Sequence, residues 1–170
     1  MATNLELITH QSTSGQALID MTDVFTEKYD LYCIKSDTFE PTTTQNLAYR
    51  LLDDSNTVIS GAEYDWAFME LTSYSSYVEQ RSTTANYMGS ISYSDANGTQ
   101  GAGFILYIHN PYSSTSFTFG QWQASSFNVG SGTYGRKGIS VHHNEERIKG
   151  IRFYVGSGQM KFKASIYGVK

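Results

Sequence analysis

The sequence predicts an all-β protein of the β-sandwich or jelly-roll-like class. Short segments in which apolar and polar residues alternate recur along the chain, as the strands of a two-layered sandwich do. The composition agrees, because 13 Tyr and 9 Phe accompany 15 Gly but only 2 Pro among the 170 residues. Aromatic side chains favour strands, and glycine favours the turns between them. About ten strands are expected.

Eight of these strands are expected before residue 148, separated by turn-forming residues. Two of them, 29–36 and 103–110, carry apolar residues on both faces. This pattern indicates a strand that is covered on two sides or that meets a neighbouring subunit. The eight segments are residues 5–9, 17–25, 29–36, 46–52, 87–93, 103–110, 116–124 and 138–143.

The last two strands form the clearest local signal, residues 148–170, which predicts a β-hairpin. Two alternating runs flank the glycine-containing turn 156–158, and glycine tolerates the positive φ angles of short hairpin loops. The side chains predicted to face inward are Ile151, Phe153 and Val155 in the first run, and Met160, Phe162, Ala164 and Ile166 in the second.

One segment fits two patterns. A helix capping box begins at Ser60, and the apolar residues after it recur at helical spacing. Tyr64, Trp66 and Phe68 also alternate as they would in a strand. We expect one short helix near residues 61–72.

The remaining connections are polar and rich in turn-forming residues. They predict exposed loops at residues 37–44, 72–86 and 128–135, and a turn at residues 95–98.

The chain length predicts one domain, residues 1–170, because domains usually contain about 100–200 residues. The single cysteine, Cys33, excludes an intrachain disulfide, so folding in a reducing cytoplasm is compatible with the sequence. The net charge of −4 and the lack of a basic patch predict no nucleic-acid partner. No apolar run approaches the ~20 residues of a membrane span, and the first residues do not resemble a signal peptide.

Three motifs resemble phosphate-binding, metal-binding or catalytic sites, and each lacks a feature that such a site needs. Residues 130–137 nearly match a phosphate-binding loop, but Arg136 stands where its lysine belongs. His142 and His143 precede two glutamates, yet neighbours on a strand point to opposite faces and do not easily share an ion. We therefore expect no metal and no cofactor.

Carboxylate pairs are the third motif. Asp53 and Asp54 lie in a predicted turn, and Glu63 and Asp65 lie beside the capping box, so nothing in the sequence places either pair in a cleft. No enzymatic activity is expected.

Six aromatic residues exceed what the predicted core needs, and we interpret them as interaction candidates. Tyr and Trp favour interfaces because they combine a large contact area with a polar tip. The same side chains stack on sugars, so a carbohydrate-binding surface is an alternative. The six residues are Tyr74, Tyr77, Tyr87, Tyr93, Tyr112 and Trp122.

Three stretches resemble a family of small virion structural proteins of tailed bacteriophages, especially marine and cyanobacterial ones. They are YDLYCIKSDTFEPTTTQNLAYRLLDDSNTVISGAEYDW (29–66), GFILYIHNPYSST (103–115) and IKGIRFYVGSGQMKFKASIYGVK (148–170). Departures from the family pattern include Lys149 in place of threonine and Gln159-Met160 in place of Asn-Ile.

The resemblance implies a non-enzymatic virion structural protein, a capsid decoration or a head or tail accessory component, that acts through protein–protein adhesion. Its partners would be other capsid, tail or connector proteins, and it would form a homo-oligomer, with a trimer as the expected state. It would be synthesised in the bacterial host cytoplasm and reside in the virion. The alternative is a host-receptor module of a tail fibre or spike that binds a surface glycan.

Overall fold

The protein is a β-sandwich of two antiparallel sheets, one of eight strands and one of four. The computed structural model describes residues 4–96, 102–129 and 132–170, and every regular element in these ranges is a strand. The prediction of an all-β sandwich is confirmed. The twelve strands are β1 (Leu5–Gln16), β2 (Leu18–Met21), β3 (Leu31–Pro41), β4 (Gln45–Asp53), β5 (Tyr64–Thr72), β6 (Val78–Ala85), β7 (Gly89–Ser94), β8 (Ala102–His109), β9 (Thr118–Asn128), β10 (Gly132–His142), β11 (Ile148–Val155) and β12 (Met160–Val169).

The strand order is that of a jelly roll with an inserted hairpin. The small sheet has the order β2-β11-β4-β7, and the large sheet has the order β1-β12-β3-β8-β9-β10-β5-β6. If the eight strands β2–β7, β10 and β11 are counted in chain order, the small sheet contains the first, last, third and sixth, as in a double Greek key. The hairpin β8–β9 separates β3 from β10 in the large sheet, and β1 and β12 extend that sheet beyond β3.

The C-terminal segment forms two strands, but they do not form a hairpin. β11 pairs with β2 and β4 in the small sheet, whereas β12 pairs with β1 and β3 in the large sheet. The turn between them therefore crosses from one sheet to the other. The predicted inward faces are confirmed, because every side chain predicted to point inward on these two strands is buried.

Residues 61–72 do not form a helix. They contain β5, which pairs with β10 on one side and β6 on the other. Tyr64, Trp66 and Phe68 are buried, so the strand alternation decided the structure. Hydrogen-bonding partners on both edges outweighed the local helical spacing, which is a weak preference.

Strands also occupy the segments predicted as loops. β3 continues to Pro41, and the side chain of its Phe39 is fully buried. β6 lies in the segment predicted as the 72–86 loop, as an edge strand whose side chains are mostly exposed. Such a strand contains no buried alternation from which a sequence pattern could be recognised. Residues 97–98 of the predicted 95–98 turn lie outside the described residues.

The core between the sheets is dominated by aromatic and branched side chains, with Trp122 near its centre. Trp122 contacts Tyr49 of the small sheet edge-on, at 6.2 Å between ring centroids, and Phe68 of the large sheet at 6.5 Å. Its indole lies over Gly138 of the neighbouring strand, where any Cβ would overlap the ring. Glycine at this position lets the Trp122 indole lie against the sheet.

None of the described ranges contains a helix that is long and apolar enough to cross a membrane.

Candidate interaction surface

The most distinctive surface feature is the outward side of the large sheet, where apolar side chains are exposed in the middle of a strand array. The inward side chains of β8, β9, β10 and β5 are buried, and the alternate side chains point away from the core. We call this surface the outer patch. Its residues are Ala67, Met69, Leu71, Ile105, Tyr107, Phe119, Gln121, Gln123, Lys137, Ile139 and Val141.

The strand register places part of the outer patch in one continuous cross-strand row. Tyr107 pairs with Gln121, Gln121 with Ile139, and Ile139 with Ala67. Ile139 lies in the centre of this row and is 60% exposed. Side chains opposite one another on neighbouring strands lie close together, so these residues form a contiguous surface and not scattered exposed groups.

Phe119 and Met69 widen this row on its two sides. Phe119 is 44% exposed and pairs with Val141, while Met69 is 51% exposed and pairs with Lys137. Lys137 is the charged side chain within the outer patch, and Asp65 and Arg81 lie at its border beside Val141 and Ala67. A centre that is poor in charge and rich in aromatic, aliphatic and amide groups has the composition of a protein interface.

Two grooves cross the outer patch. The larger has a volume of about 700 Å³ and lies over β8, β9 and β10, with Tyr107, Gln121, Gln123 and Lys137 among its lining residues. The smaller, of about 450 Å³, is lined by β5, β6, β9 and β10 around Ile139. The outer patch therefore contains grooves that can accept side chains of a partner.

Three of the six aromatic candidates from the sequence, Tyr74, Tyr77 and Tyr93, lie at one end of the sandwich. Tyr74 and Tyr93 both contact Tyr134, with ring centroids 5.6 and 5.1 Å apart, at the end where β5 finishes. The Tyr74 and Tyr134 hydroxyls are hydrogen-bonded. Tyr77 lies in the neighbouring loop and is 74% exposed, so this end has an accessible tyrosine group.

Two other candidates are held by intramolecular contacts. Tyr112 lies at the opposite end, where the Arg147 guanidinium stacks 5.4 Å from its ring centroid. Tyr87 is half-buried against Trp66, and burial raises the pKa of its hydroxyl. Neither residue belongs to the outer patch.

Trp122 is not a surface residue, which corrects its selection as an interaction candidate. It is 3% exposed and lies in the core. In the sequence, Trp122 lies on the opposite face of β9 from Phe119. The alternation alone does not show which of these two faces is turned to the core. The structure points Phe119 outward and Trp122 inward, so the aromatic residue offered to a partner is the phenylalanine.

The sequence reading of β8 as apolar on both faces did contain the signal for the outer patch. Phe104, Leu106 and Ile108 are buried, whereas Ile105 and Tyr107 are 42% and 39% exposed. The sequence pattern does not identify Ile139 and Met69, because it predicts a short strand at residues 138–143 and a helix near residues 61–72.

A second group of polar side chains meets at the end of β10. The His142 Nε2 lies 3.3 Å from Glu63 Oε2 and 3.4 Å from Glu146 Oε1. His142 is fully buried, and burial raises the pKa of Glu146. Glu63 approaches from a distant part of the chain, so the pattern around residue 142 did not predict this group. His143 points away, as predicted, towards Asp65.

The other chemical motifs have structural roles. Arg136, in the near-match to a phosphate loop, is buried in β10, while residues 130 and 131 of that motif lie outside the described residues. Asp53 accepts backbone hydrogen bonds from Ser55 and Thr57, each 2.8 Å long, within its own turn. Asp54 forms an ion pair with Lys149 at 2.9 Å.

No known protein-family model matches this chain, and no curated protein has a significantly similar sequence.

Proposed function

We propose that this chain is a non-enzymatic structural component of a tailed-bacteriophage particle, and that it adheres to neighbouring protein subunits through the outer patch. The observation that carries the proposal is the group of exposed apolar side chains on the outward side of the large sheet, in which Ile139, Phe119 and Met69 are 60%, 44% and 51% exposed on neighbouring strands. A contiguous apolar surface of this kind marks an interaction site more often than it occurs by chance on a monomer.

The chemistry of the outer patch favours a protein partner. Apolar groups at its centre gain free energy when water is removed, at about 25 cal/mol for each Å² buried. The amides of Gln121 and Gln123 offer hydrogen bonds beside them, and Lys137 contributes one positive charge. A few residues, most often Trp, Tyr and Arg, provide most of the binding free energy at protein interfaces, and Tyr107 is of this type.

The class of particle comes from the resemblance of three stretches of the sequence to small virion structural proteins. Within that class the chain would serve as a capsid decoration or as a head or tail accessory component, made in the bacterial host cytoplasm. Its partners would be capsid, tail or connector proteins and further copies of itself. Many copies on one particle would bind by multivalency even if each contact were weak.

A carbohydrate-binding function is the second candidate, and the larger groove favours it. Tyr107, Gln121, Gln123 and Lys137 all line this groove. An aromatic face next to hydrogen-bonding groups suits a sugar ring, which has apolar faces and hydroxyl edges. The chain would then be a receptor-binding module of a tail fibre or spike.

The test is the composition of particles purified on a density gradient from the phage that encodes this chain. Mass spectrometry is expected to find the protein in many copies per particle. Ile139→Asp should reduce this incorporation strongly, because a desolvated carboxylate would lie at the centre of the contact. Leu18→Asp is the matched control, since Leu18 is 42% exposed on the other sheet and outside the outer patch.

Absence of the protein from purified particles would contradict the virion proposal. A glycan array distinguishes the second candidate. Binding to a defined glycan that is lost in Tyr107→Ala, together with unchanged incorporation of Ile139→Asp, would favour receptor recognition over adhesion.

A further inference from the structure

We propose that Glu63, His142 and Glu146 form a binding site for a divalent transition-metal ion of the Zn²⁺ class. This inference rests on a different part of the molecule from the outer patch and is independent of the adhesive function. The three residues come from the segment before β5, the end of β10 and the connection between β10 and β11. Their ligand atoms all lie within 4.8 Å of one another.

The His142 contacts are long for hydrogen bonds, although the one to Glu63 is within hydrogen-bonding range, and they match the spacing of two ligands of one ion. Zinc bonds to imidazole nitrogen and carboxylate oxygen are about 2.0–2.2 Å long, so at a tetrahedral angle the ligand atoms lie about 3.3–3.5 Å apart. The His142 Nε2 is 3.3 Å from Glu63 Oε2 and 3.4 Å from Glu146 Oε1. A charge-assisted hydrogen bond would be about 2.7–2.9 Å long. The imidazole is instead almost equally far from both carboxylates.

The burial of His142 is an independent reason to expect a ligand. Its side chain is completely buried, and its Nδ1 has no hydrogen-bond partner among the described residues. Nε2 is therefore the ring nitrogen that is directed at polar groups, and it is aimed between the two carboxylates. Nε2 makes a long hydrogen bond of 3.3 Å to Glu63 and lies 3.4 Å from Glu146, and a cation held between them would replace these long contacts by short bonds.

The charge balance of the group also favours a cation. Glu63 and Glu146 each have about a third of their side-chain surface exposed, so an ion can reach them from solvent. In the described part of the chain, neither carboxylate forms an ion pair with a lysine or an arginine. The nearby Arg147 stacks on Tyr112 instead. Two carboxylates thus face a single imidazole.

The ligand types identify the class of ion. Ca²⁺ and Mg²⁺ prefer sites made of oxygen ligands alone, whereas imidazole nitrogen selects first-row transition metals. One imidazole and two carboxylates suit Zn²⁺, with Mn²⁺ and Co²⁺ as related ions. Three protein ligands leave at least one coordination position for water.

The backbone already holds part of this group in place. The His143 N–H donates a hydrogen bond of 3.1 Å to the Glu63 carbonyl oxygen, which aligns the segment before β5 with the end of β10. A bound ion would connect this pair to the loop that carries Glu146. We therefore expect bound Zn²⁺ to stabilise the end of the sandwich at which β10 ends.

The experiment uses the full chain after removal of any affinity tag. Calorimetric titration with Zn²⁺ is expected to give one equivalent per chain. Glu63→Gln and Glu146→Gln should each weaken binding at least tenfold, because each replaces a carboxylate ligand by an isosteric amide at a partly exposed position. Glu145→Gln and His143→Gln are the matched controls, since they alter the adjacent glutamate and imidazole outside the group.

A second readout uses the wild-type chain alone. Zinc on Nε2 leaves the ring proton of His142 on Nδ1, and nitrogen NMR of the imidazole distinguishes this tautomer. The proposal is overturned if no Zn²⁺ binds at micromolar concentration, if binding survives in both glutamine variants, if Ca²⁺ is preferred, or if the zinc-loaded His142 has its proton on Nε2.

Discussion

Phe153 and Phe162 face each other across the core, with ring centroids 5.1 Å apart, although the strands that carry them lie in different sheets. Phe104 extends this contact, at 5.7 Å from Phe153 and 6.2 Å from Phe162. The turn between β11 and β12 thus places two consecutive strands on opposite sides of one aromatic cluster. These contacts couple the two sheets close to the C-terminal turn.

Burial of the inward face of β12 predicts a strong position dependence of substitutions there. Ile166 is fully buried, so Ile166→Asp should lower the free energy of unfolding by several kcal/mol, about the cost of an unpaired buried carboxylate. Lys163 points outward on the same strand, and Lys163→Asp should cost less than about 1 kcal/mol. Urea denaturation measures both, and equal losses would show that the two faces are misassigned.

Arg136 and Glu70 form a buried ion pair whose hydrogen bonds also connect the two sheets. The Arg136 Nε donates to Glu70 Oε2 at 2.7 Å, and its Nη1 reaches Asn46 and Ser90 of the small sheet at 2.7 and 2.8 Å. Glu70→Gln leaves the buried guanidinium without its counter-charge. The free energy of unfolding should fall by about 3–5 kcal/mol.

The control for this pair is the double variant Arg136→Met with Glu70→Leu, which removes both charges. Replacing a buried ion pair with apolar residues of similar volume is often nearly neutral. The double variant should therefore be more stable than Glu70→Gln in the same denaturation assay. A double variant that is less stable would mean that the hydrogen bonds to the small sheet outweigh the ion pair.

The close packing of Trp122 on Gly138 predicts that no side chain is tolerated at this glycine. Gly138→Ala would place a methyl group inside the indole ring and should destabilise the protein by about 1–3 kcal/mol or more. Gly135 on the same strand is the matched control, because a Cβ there would meet its nearest atom at 3.7 Å. Thermal unfolding should show a clear loss for Gly138→Ala and little change for Gly135→Ala.

The outer patch predicts self-association, and the resemblance to phage proteins suggests a trimer. Light scattering at micromolar concentration in reducing buffer should give a mass above that of the monomer. Ile139→Asp should shift the mass towards the monomer, whereas Leu18→Asp should not. A strict monomer that is also missing from virions would remove the adhesive proposal and leave glycan binding.

Glu6 provides a pH-dependent contact at the edge of the large sheet. The Lys28 ammonium donates a hydrogen bond of 2.6 Å to its carboxylate and lowers the pKa of Glu6 to about 2, with Lys170 also in contact at 3.1 Å. Because the folded pKa is depressed, this stabilisation is complete above about pH 4.5 and is lost as the pH falls towards 2. Carboxyl NMR titration should show the low pKa, and Lys28→Met should raise it.

The repeated alternation in the sequence was sufficient to predict the all-β class, because a period of two sorts side chains only on extended backbone. The same signal predicted the buried faces of β11 and β12. It could not predict which strands are neighbours. Alternation shows that one side of a strand is buried. It does not show whether the next strand along the chain is its hairpin partner in the same sheet or faces it from the other sheet, because that side is buried in both cases.

The two functional hypotheses depended on long-range contacts in a similar way. The pattern around residue 142 identified a histidine and glutamates, but only the pairing of β10 with β5 brought Glu63 to His142. The exposure of Ile139 and the burial of Trp122 were likewise decided by the direction in which β9 and β10 face the small sheet. Sequence periodicity determined that these strands have two faces. The tertiary structure decided which face is covered, because burial depends on contacts between strands that are far apart in the chain.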